Sequence, residues 1–452
     1  MFDPIYASAT EIAQAIREKR ISALGTLEAH LDRIARLNGA IHAIIVLDAE
    51  GARRRAQEAD DALARGELWG PLHGVPMTIF DLIDVAGMRT TVAGNPKMAN
   101  HVPTKDPTIV ARFRKAGAVI MGKSNDDHDF YGDARLFPLP NNPWDHSRVL
   151  TGCGGPAATV AAGFSALEIG GDMGSMQQPA HYAGIFALRP TNYRIPAADV
   201  YGNRNNQPHR NIPHTPVARS VEDLRLALTV LAGPDGVTID VPPVPLDEYS
   251  HPTLRDLRIA WAPRIPGVVI DDEIASAIET LAGDLQRAGI HMEECLPKID
   301  FTWMLDAHER VFSKQIEVSR EIAGGEPSVT YGEYLRARIE RDKVWHIWNA
   351  FMKDWDALLV PVGSIVAPRR GTTEQIVNGV VLTPEETHDY WPACKIAPAT
   401  GLPTVIMPLG RNSEGLPFGA QLLGRQWHDM RLLAIAEQVT GVAGGFVRPP
   451  GY

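Results

Sequence analysis

The sequence predicts an α/β protein in which helices cover both faces of a central sheet. Short apolar runs of strand length alternate with amphipathic stretches of helical period along the whole chain. Capping residues punctuate the amphipathic stretches. The composition, 44% hydrophobic and 22% charged over 452 residues, supplies apolar side chain for a large core and excludes disorder, collagen and coiled coil as whole-chain descriptions.

Ser8 followed by Glu11 reads as a capping box. Ile12 and Ile16, then Leu24, Leu27, Leu31, Ile34 and Leu37, recur at helical spacing up to Asn38-Gly39, so two amphipathic helices open the chain. An Ala- and Arg-rich third helix runs from Glu50 to Arg65. The pattern then changes, and Val75 to Val85 reads as a buried strand. Ile109 to Ala116 is helical and GAVIMGKS is another short strand. Ser220 with Asp223 caps the helix EDLRLALTVLAG, RIAWAP is a strand, and Asp271 to Ala288 is a helix. ALLVPVG, PTVIMPLG and FGAQLLG read as central strands. The Pro-rich stretch 233–252 is expected to be a surface connection inside one domain spanning 1–452, with helices at 1–66, a core at 67–230 and a second part of the same domain at 253–452.

The balance of 44 Lys+Arg against 54 Asp+Glu, a net charge of -10 with no basic block, argues against nucleic acid as a partner. Three cysteines, Cys153, Cys295 and Cys394, form no disulfide framework and no C-x-x-C metal pair, which suits a reducing cytoplasm. No apolar run is long enough to span a membrane and the first residues do not resemble a signal peptide, so the chain is expected to be soluble and unprocessed.

Gly117 to Ser124 matches G-x-x-x-x-G-K-S, the phosphate-cradling loop of nucleotide hydrolases. The residues between the glycines, Ala-Val-Ile-Met, suit a buried strand rather than a loop whose N–H groups turn inward, so no nucleotide cofactor is expected. No G-x-G-x-x-G opens a helix after a strand. His308-Glu309 lacks the second histidine of H-E-x-x-H, and no metal is expected. The informative region is TGCGGPAATVAAG at 151–163 with GGDMGSMQQPAHYAGIFALRPT at 170–191. Such glycine density lets backbones approach a ligand and present N–H groups to an oxyanion, or simply packs strand against helix.

Together with GPLHGVPMTIFDLIDVAGMRTT, GKSNDDHDFYG, NNPWDHSR, ALRPTNYRIP, PVARSVEDL, GLPTVIMPLG and LPFGAQLLGR, in that order, this region resembles the amidase signature family along essentially the whole chain. The resemblance implies one large α/β domain on a mixed, mostly parallel sheet. It also implies a Ser, cis-Ser, Lys triad that hydrolyses amides through an acyl-enzyme. Residue by residue, the family's lysine falls on Phe80, before Asp81, and its cis-serine on Gly152, with Cys153 next. The family's D-T-G-G-S-I-R-x-P-A corresponds to Asp172 to Ala180, one residue shorter. Anchoring on Pro179 puts Ser175 at the nucleophile and Gln177 at the arginine; anchoring on Asp172 puts Met176 at the nucleophile. The first is preferred because Met-Gln-Gln-Pro-Ala follows I-R-x-P-A.

Phe80 and Gly152 cannot relay a proton from a serine, so amide hydrolysis by the family mechanism is disfavoured. The run Asp126 to Asp133 is acidic beside the expected pocket, where a Tyr/His/Asp set could exchange protons and the field would favour a basic ligand. The bland reading is a solvated turn. Expected catalytic residues are Ser175, His128, Asp129 and Tyr131; expected substrate-binding residues are Phe80, Phe130, Gly152, Cys153, Met173, Gly174, Met176 and Gln177. For His181 and Tyr182 core packing is expected.

Three functions compete. The first is a repurposed enzyme acting by acid–base chemistry, as lyase, isomerase or cyclase, on a small carbonyl-, amide- or amine-containing molecule. The second is a hydrolase or acyl-transfer enzyme using Ser175 or Cys153 with a base outside the family triad. The third is a non-catalytic binding or complex-forming member. A homodimer is expected from the resemblance, with no cofactor.

Overall fold

The structure, a computed structural model, describes residues 2–128, 132–171, 176–197, 213–322, 326, 328–382 and 393–452. In chain order the elements are α1 (Ala9–Arg17), α2 (Ala23–Ile41), β1 (Ile44–Leu47), α3 (Ala49–Ala64), β2 (Pro76–Phe80), α4 (Thr108–Lys115), β3 (Val119–Ser124), α5 (Gly154–Ala161) and β4 (Leu167–Gly171). Then come α6 (Gln177–Ala183), β5 (Phe186–Arg189), β6 (His214–Ala218), α7 (Val221–Leu231), β7 (Arg258–Trp261), α8 (Asp272–Arg287), β8 (His291–Glu294), α9 (Phe301–Ile322) and α10 (Tyr331–Phe351). The chain closes with β9 (Ala357–Pro361), β10 (Gln375–Val377), β11 (Val380–Leu382), α11 (Ile396–Thr400), β12 (Thr404–Arg411), β13 (Pro417–Gly424) and α12 (Asp429–Ala443).

The expected caps are present. Ser8 and Glu11 exchange both bonds of a capping box at α1, and the Ser220 hydroxyl accepts from the Asp223 N–H at α7. The Asp223 carboxylate in turn accepts from the Ala9 and Thr10 amides, so one cap pins the other. Within the Gly117–Ser124 run, Val119–Ser124 form a strand buried at every position, as the apolar residues demand, and not a phosphate loop.

An eight-stranded sheet runs in the order β4-β6-β5-β12-β13-β9-β7-β8. Both of its faces are covered: alternate residues of β9 enter different cores, Ala357 and Leu359 one, Leu358 and Val360 the other. The sheet is mixed, but the expectation that it is mostly parallel is corrected. Only β9–β7 and β7–β8 pair parallel, whereas β4–β6, β6–β5, β5–β12, β12–β13 and β13–β9 pair antiparallel. The tight turn between Arg411 and Pro417 joins β12 directly to β13, and such a short connection can only reverse the strand.

A second sheet, β1-β3-β2, stands beside the first, and β2 runs alongside β4. The strand expected over Val75–Val85 is shorter, ending at Phe80, because the Asp81 carboxylate turns the chain by accepting from the Thr91 amide and hydroxyl. The stretch 233–252 holds no helix or strand, yet it is tied down: Arg194 donates to the Val244 and Pro245 carbonyls, and Asp247 accepts from the Met430 and Arg431 amides at the start of α12.

Candidate active site

The ends of β2, β3 and β4 and the start of α5 come together. Phe80 ends β2 fully buried, and the following Asp81 amide donates to the Ser124 carbonyl at the end of β3 (3.0 Å). Phe80 and Ser124 are register partners, so they share a face of the small sheet with Thr78, while Ile79 and Lys123 share the other. Hydrocarbon thus fills the end of β2 opposite Ser124.

The turn before α5 carries positive φ at Thr151 (62°) and Gly152 (42°). The Gly152 carbonyl accepts from the Asp127 amide (2.8 Å), and Cys153, buried at the N-cap of α5, donates its thiol to the Gly171 carbonyl (3.0 Å). A Cβ on Gly155 would stand 2.0 Å from the Asn125 carbonyl oxygen, and one on Gly170 would stand 2.7 Å from the Met176 sulfur. The glycines of α5 therefore serve close backbone packing first. Cys153 and Met176 both border Gly170, Gly152 is held by the Asp127 amide, and Gln177 is buried at the first position of α6.

Within the acidic run, the described carboxylates of Asp126 and Asp127 are engaged rather than open to solvent. The Asp127 carboxylate accepts from the Leu150 and Thr151 amides (2.8 and 2.6 Å) and pairs with Arg370 (3.0 Å). Burial pushes its pKa up, against the Arg370 charge and these amides. Arg135 donates to the Asn125 side chain and to the Asp126 and His128 carbonyls. Two guanidinium groups thus offset the carboxylates locally.

Within this shell Asp126 Oδ1 accepts from both the backbone and the ring Nδ1 of His128 (2.6 and 2.7 Å). The Asp126 side chain is fully buried and that of His128 is 24% exposed. Burial alone would lower the His128 pKa, but the Asp126 charge, its hydrogen bond and the Asp127 charge prevail, and the pKa is raised. A carboxylate on Nδ1 fixes the tautomer, stabilises the imidazolium and leaves proton transfer to Nε2. His128 follows directly on the residue whose amide holds Gly152 in place.

Ser175, Met173 and Gly174, and Asp129, Phe130 and Tyr131, lie outside the described residues. His181 and Tyr182 are core residues. The His181 ring accepts from the Gly419 amide and donates to the Ile365 carbonyl, with burial pushing its pKa down to about 4, and the Tyr182 hydroxyl accepts from Gln178. Sequence reasoning missed Glu168, Arg135 and Arg370. A glutamate inside the apolar run FSALEIGG was the available signal for the first; nothing local marked the two arginines. Among the described residues no cluster of three His, Cys, Asp or Glu side chains is arranged to hold a metal, and no helix is long and apolar enough to cross a membrane.

The Amidase family model matches residues 25–433. The chain belongs to the amidase signature family. This amidase-family chain is 30% identical to an indoleacetamide hydrolase of Bradyrhizobium diazoefficiens, over 95% of its own length and 85% of the relative's. It is 30% identical to an acylamidase of Rhodococcus erythropolis, over 97% and 95%. Among solved structures, a 6-aminohexanoate cyclic dimer hydrolase complexed with substrate superposes with a TM-score of 0.83, covering 99% of each chain at 22% identity, a likeness of fold.

Proposed function

We propose that this amidase-family chain is an enzyme that acts on a small molecule bearing an amide or other carbonyl group, with His128 as the proton-transfer residue in place of the family lysine. The observation that carries the reading is the His128 ring held on a buried Asp126 carboxylate, one residue beyond the amide that binds Gly152. With Asp126 orienting it, His128 would take a proton from the substrate or an attacking group and return it to a leaving atom, chemistry open to a lyase, isomerase or cyclase. Phe80 and Met176 would supply apolar wall, and no cofactor is required. The chain would work as a single 1–452 domain in the cytoplasm, as a monomer or homodimer, with Asp129 and Tyr131 next to His128 in sequence as further proton-transfer candidates.

A second reading, amide hydrolysis through Ser175, is favoured by the relatives, two of which are named as amide-cleaving enzymes. There His128 would activate the Ser175 hydroxyl, as the imidazole of a Ser-His-Asp set does. A screen of amides, lactams and carbonyl metabolites should find a substrate. An acyl-enzyme mass shift on Ser175, and loss of turnover in Ser175→Ala, would select hydrolysis; full turnover in Ser175→Ala would select acid–base chemistry without a nucleophile. A screen in which wild type turns over nothing would defeat both in favour of a binding role.

A further inference from the structure

Glu168 is the second residue of β4 and is fully buried, a rare place for a carboxyl group. Its Oε2 accepts from the Thr78 hydroxyl on β2, although β2 and β4 share no strand ladder. Among the described residues Glu168 Oε1 and the Ser124 hydroxyl have no partner at ordinary hydrogen-bond geometry, although the Ser124 hydroxyl and the Ile169 amide lie close enough to Glu168 to favour its anion. These groups meet on the face of β2 that ends in Phe80, and β4 ends in Gly171, whose carbonyl holds the Cys153 thiol. Polar groups left in such a place cost stability unless they do something for the site.

We propose that Glu168 is a positioning residue: its carboxyl group clasps β2 to β4 and holds the Phe80 end of one against the Gly170–Gly171 end of the other. The inference rests on locating the site at these strand ends and not on the role of His128. Burial pushes the Glu168 pKa well above the ordinary carboxylate range, against the Ile169 amide, the Ser124 hydroxyl and Lys123. Among the described residues the charged and titratable groups around it are few. Lys123 projects from the opposite face of β3, where it donates to Ile83 and Thr90 and lies 3.8 Å from Asp81. On β6, His214 pairs with Gly171 and is kept neutral by burial. Once ionised, Glu168 would be a buried anion without a bonded cation, and the clasp would loosen.

The test is hydrogen exchange followed by mass spectrometry on peptides covering 76–84 and 164–171, between pH 5 and 8, with intrinsic rates divided out. The native carboxyl holds its proton where an exposed one does not, so the opening constant of wild type should rise about tenfold per pH unit above the exposed-carboxylate pKa until Glu168 itself ionises. Glu168→Gln, uncharged at every pH, should remove that rise, and Thr78→Val should open both peptides at every pH. Identical pH dependence in wild type and Glu168→Gln would overturn the inference. So would normal protection of both peptides in Thr78→Val, which keeps the shape of the threonine should the glutamine variant fail to fold. None of these readouts requires a substrate or an intact His128, so failure of the clasp is distinguishable from failure of the proposed function.

Discussion

Gly155→Ala should destabilise the protein although alanine is the better helix former. Gly155 sits in the first turn of α5 and its Cα faces the end of β3. An added Cβ would lie 2.0 Å from the Asn125 oxygen and 2.5 Å from its nitrogen, against 3.4 Å for ordinary contact. That backbone is not free to yield, because the Asn125 amide donates to the Ala43 carbonyl (2.8 Å) and the Asn125 side chain bonds the His42 and Pro138 carbonyls. Overpacking of this kind costs up to about 3 kcal/mol, and the helix propensity of alanine returns about 1, leaving a net loss of about 2 kcal/mol. For a cooperative unit of this size that is a fall in Tm of about 2 °C. Gly441→Ala in α12, where nothing lies within 4 Å of the added carbon, is the control and should gain about 0.5 kcal/mol. Urea or thermal unfolding of the two variants reads the difference. A Gly155→Ala variant as stable as wild type would refute the view that these glycines exist to seat α5 on β3.

Other predictions follow from buried polar groups. Asp429→Ala strips Arg194, itself buried, of the carboxylate it bonds through Nε and Nη2, and should cost about 3–5 kcal/mol in urea unfolding. Burial holds the histidines His181, His214 and His308 down to about 4, 3 and 3, from an ordinary 6.5. The unfolded chain therefore binds more protons below pH 6.5, and stability should fall on acidification from there by about 1.4 kcal/mol per pH unit for each histidine. Replacing His214, whose ring makes no hydrogen bond among the described residues, by leucine should flatten that slope by one such contribution in pH-dependent unfolding. Arg370→Ala should leave Asp127 buried without its cation, costing about 3 kcal/mol or less given the partial exposure of Arg370, and loosening the Leu150–Gly152 turn in hydrogen exchange.

Local signals survived from sequence to structure best. The Ser8–Glu11 and Ser220–Asp223 caps were legible because a helix start is decided within one turn. The phosphate-loop pattern could be set aside because Ala-Val-Ile-Met already reads as a strand. Strand direction was not legible, since an apolar run such as PTVIMPLG is the same in either sense and only the connection decides. The pairing of Asp127 was illegible for a related reason: Arg370 lies 243 residues away, and no local pattern announces such a partner. His128 was legible as a candidate, but its orientation by Asp126 was not. Glu168 was visible only as an oddity until Thr78 was found beside it.

The central claim is that proton transfer has moved from the lysine position, now Phe80, to the His128–Asp126 pair. Its most direct test is kcat/KM for a substrate found in the screen, measured for wild type, His128→Ala and Asp126→Asn. The account predicts a loss of about 10²- to 10⁴-fold for His128→Ala and a loss of similar size for Asp126→Asn, which neither fixes the Nδ1–H tautomer nor stabilises the imidazolium. Undiminished turnover in His128→Ala, with the fold intact by unfolding assay, would contradict it.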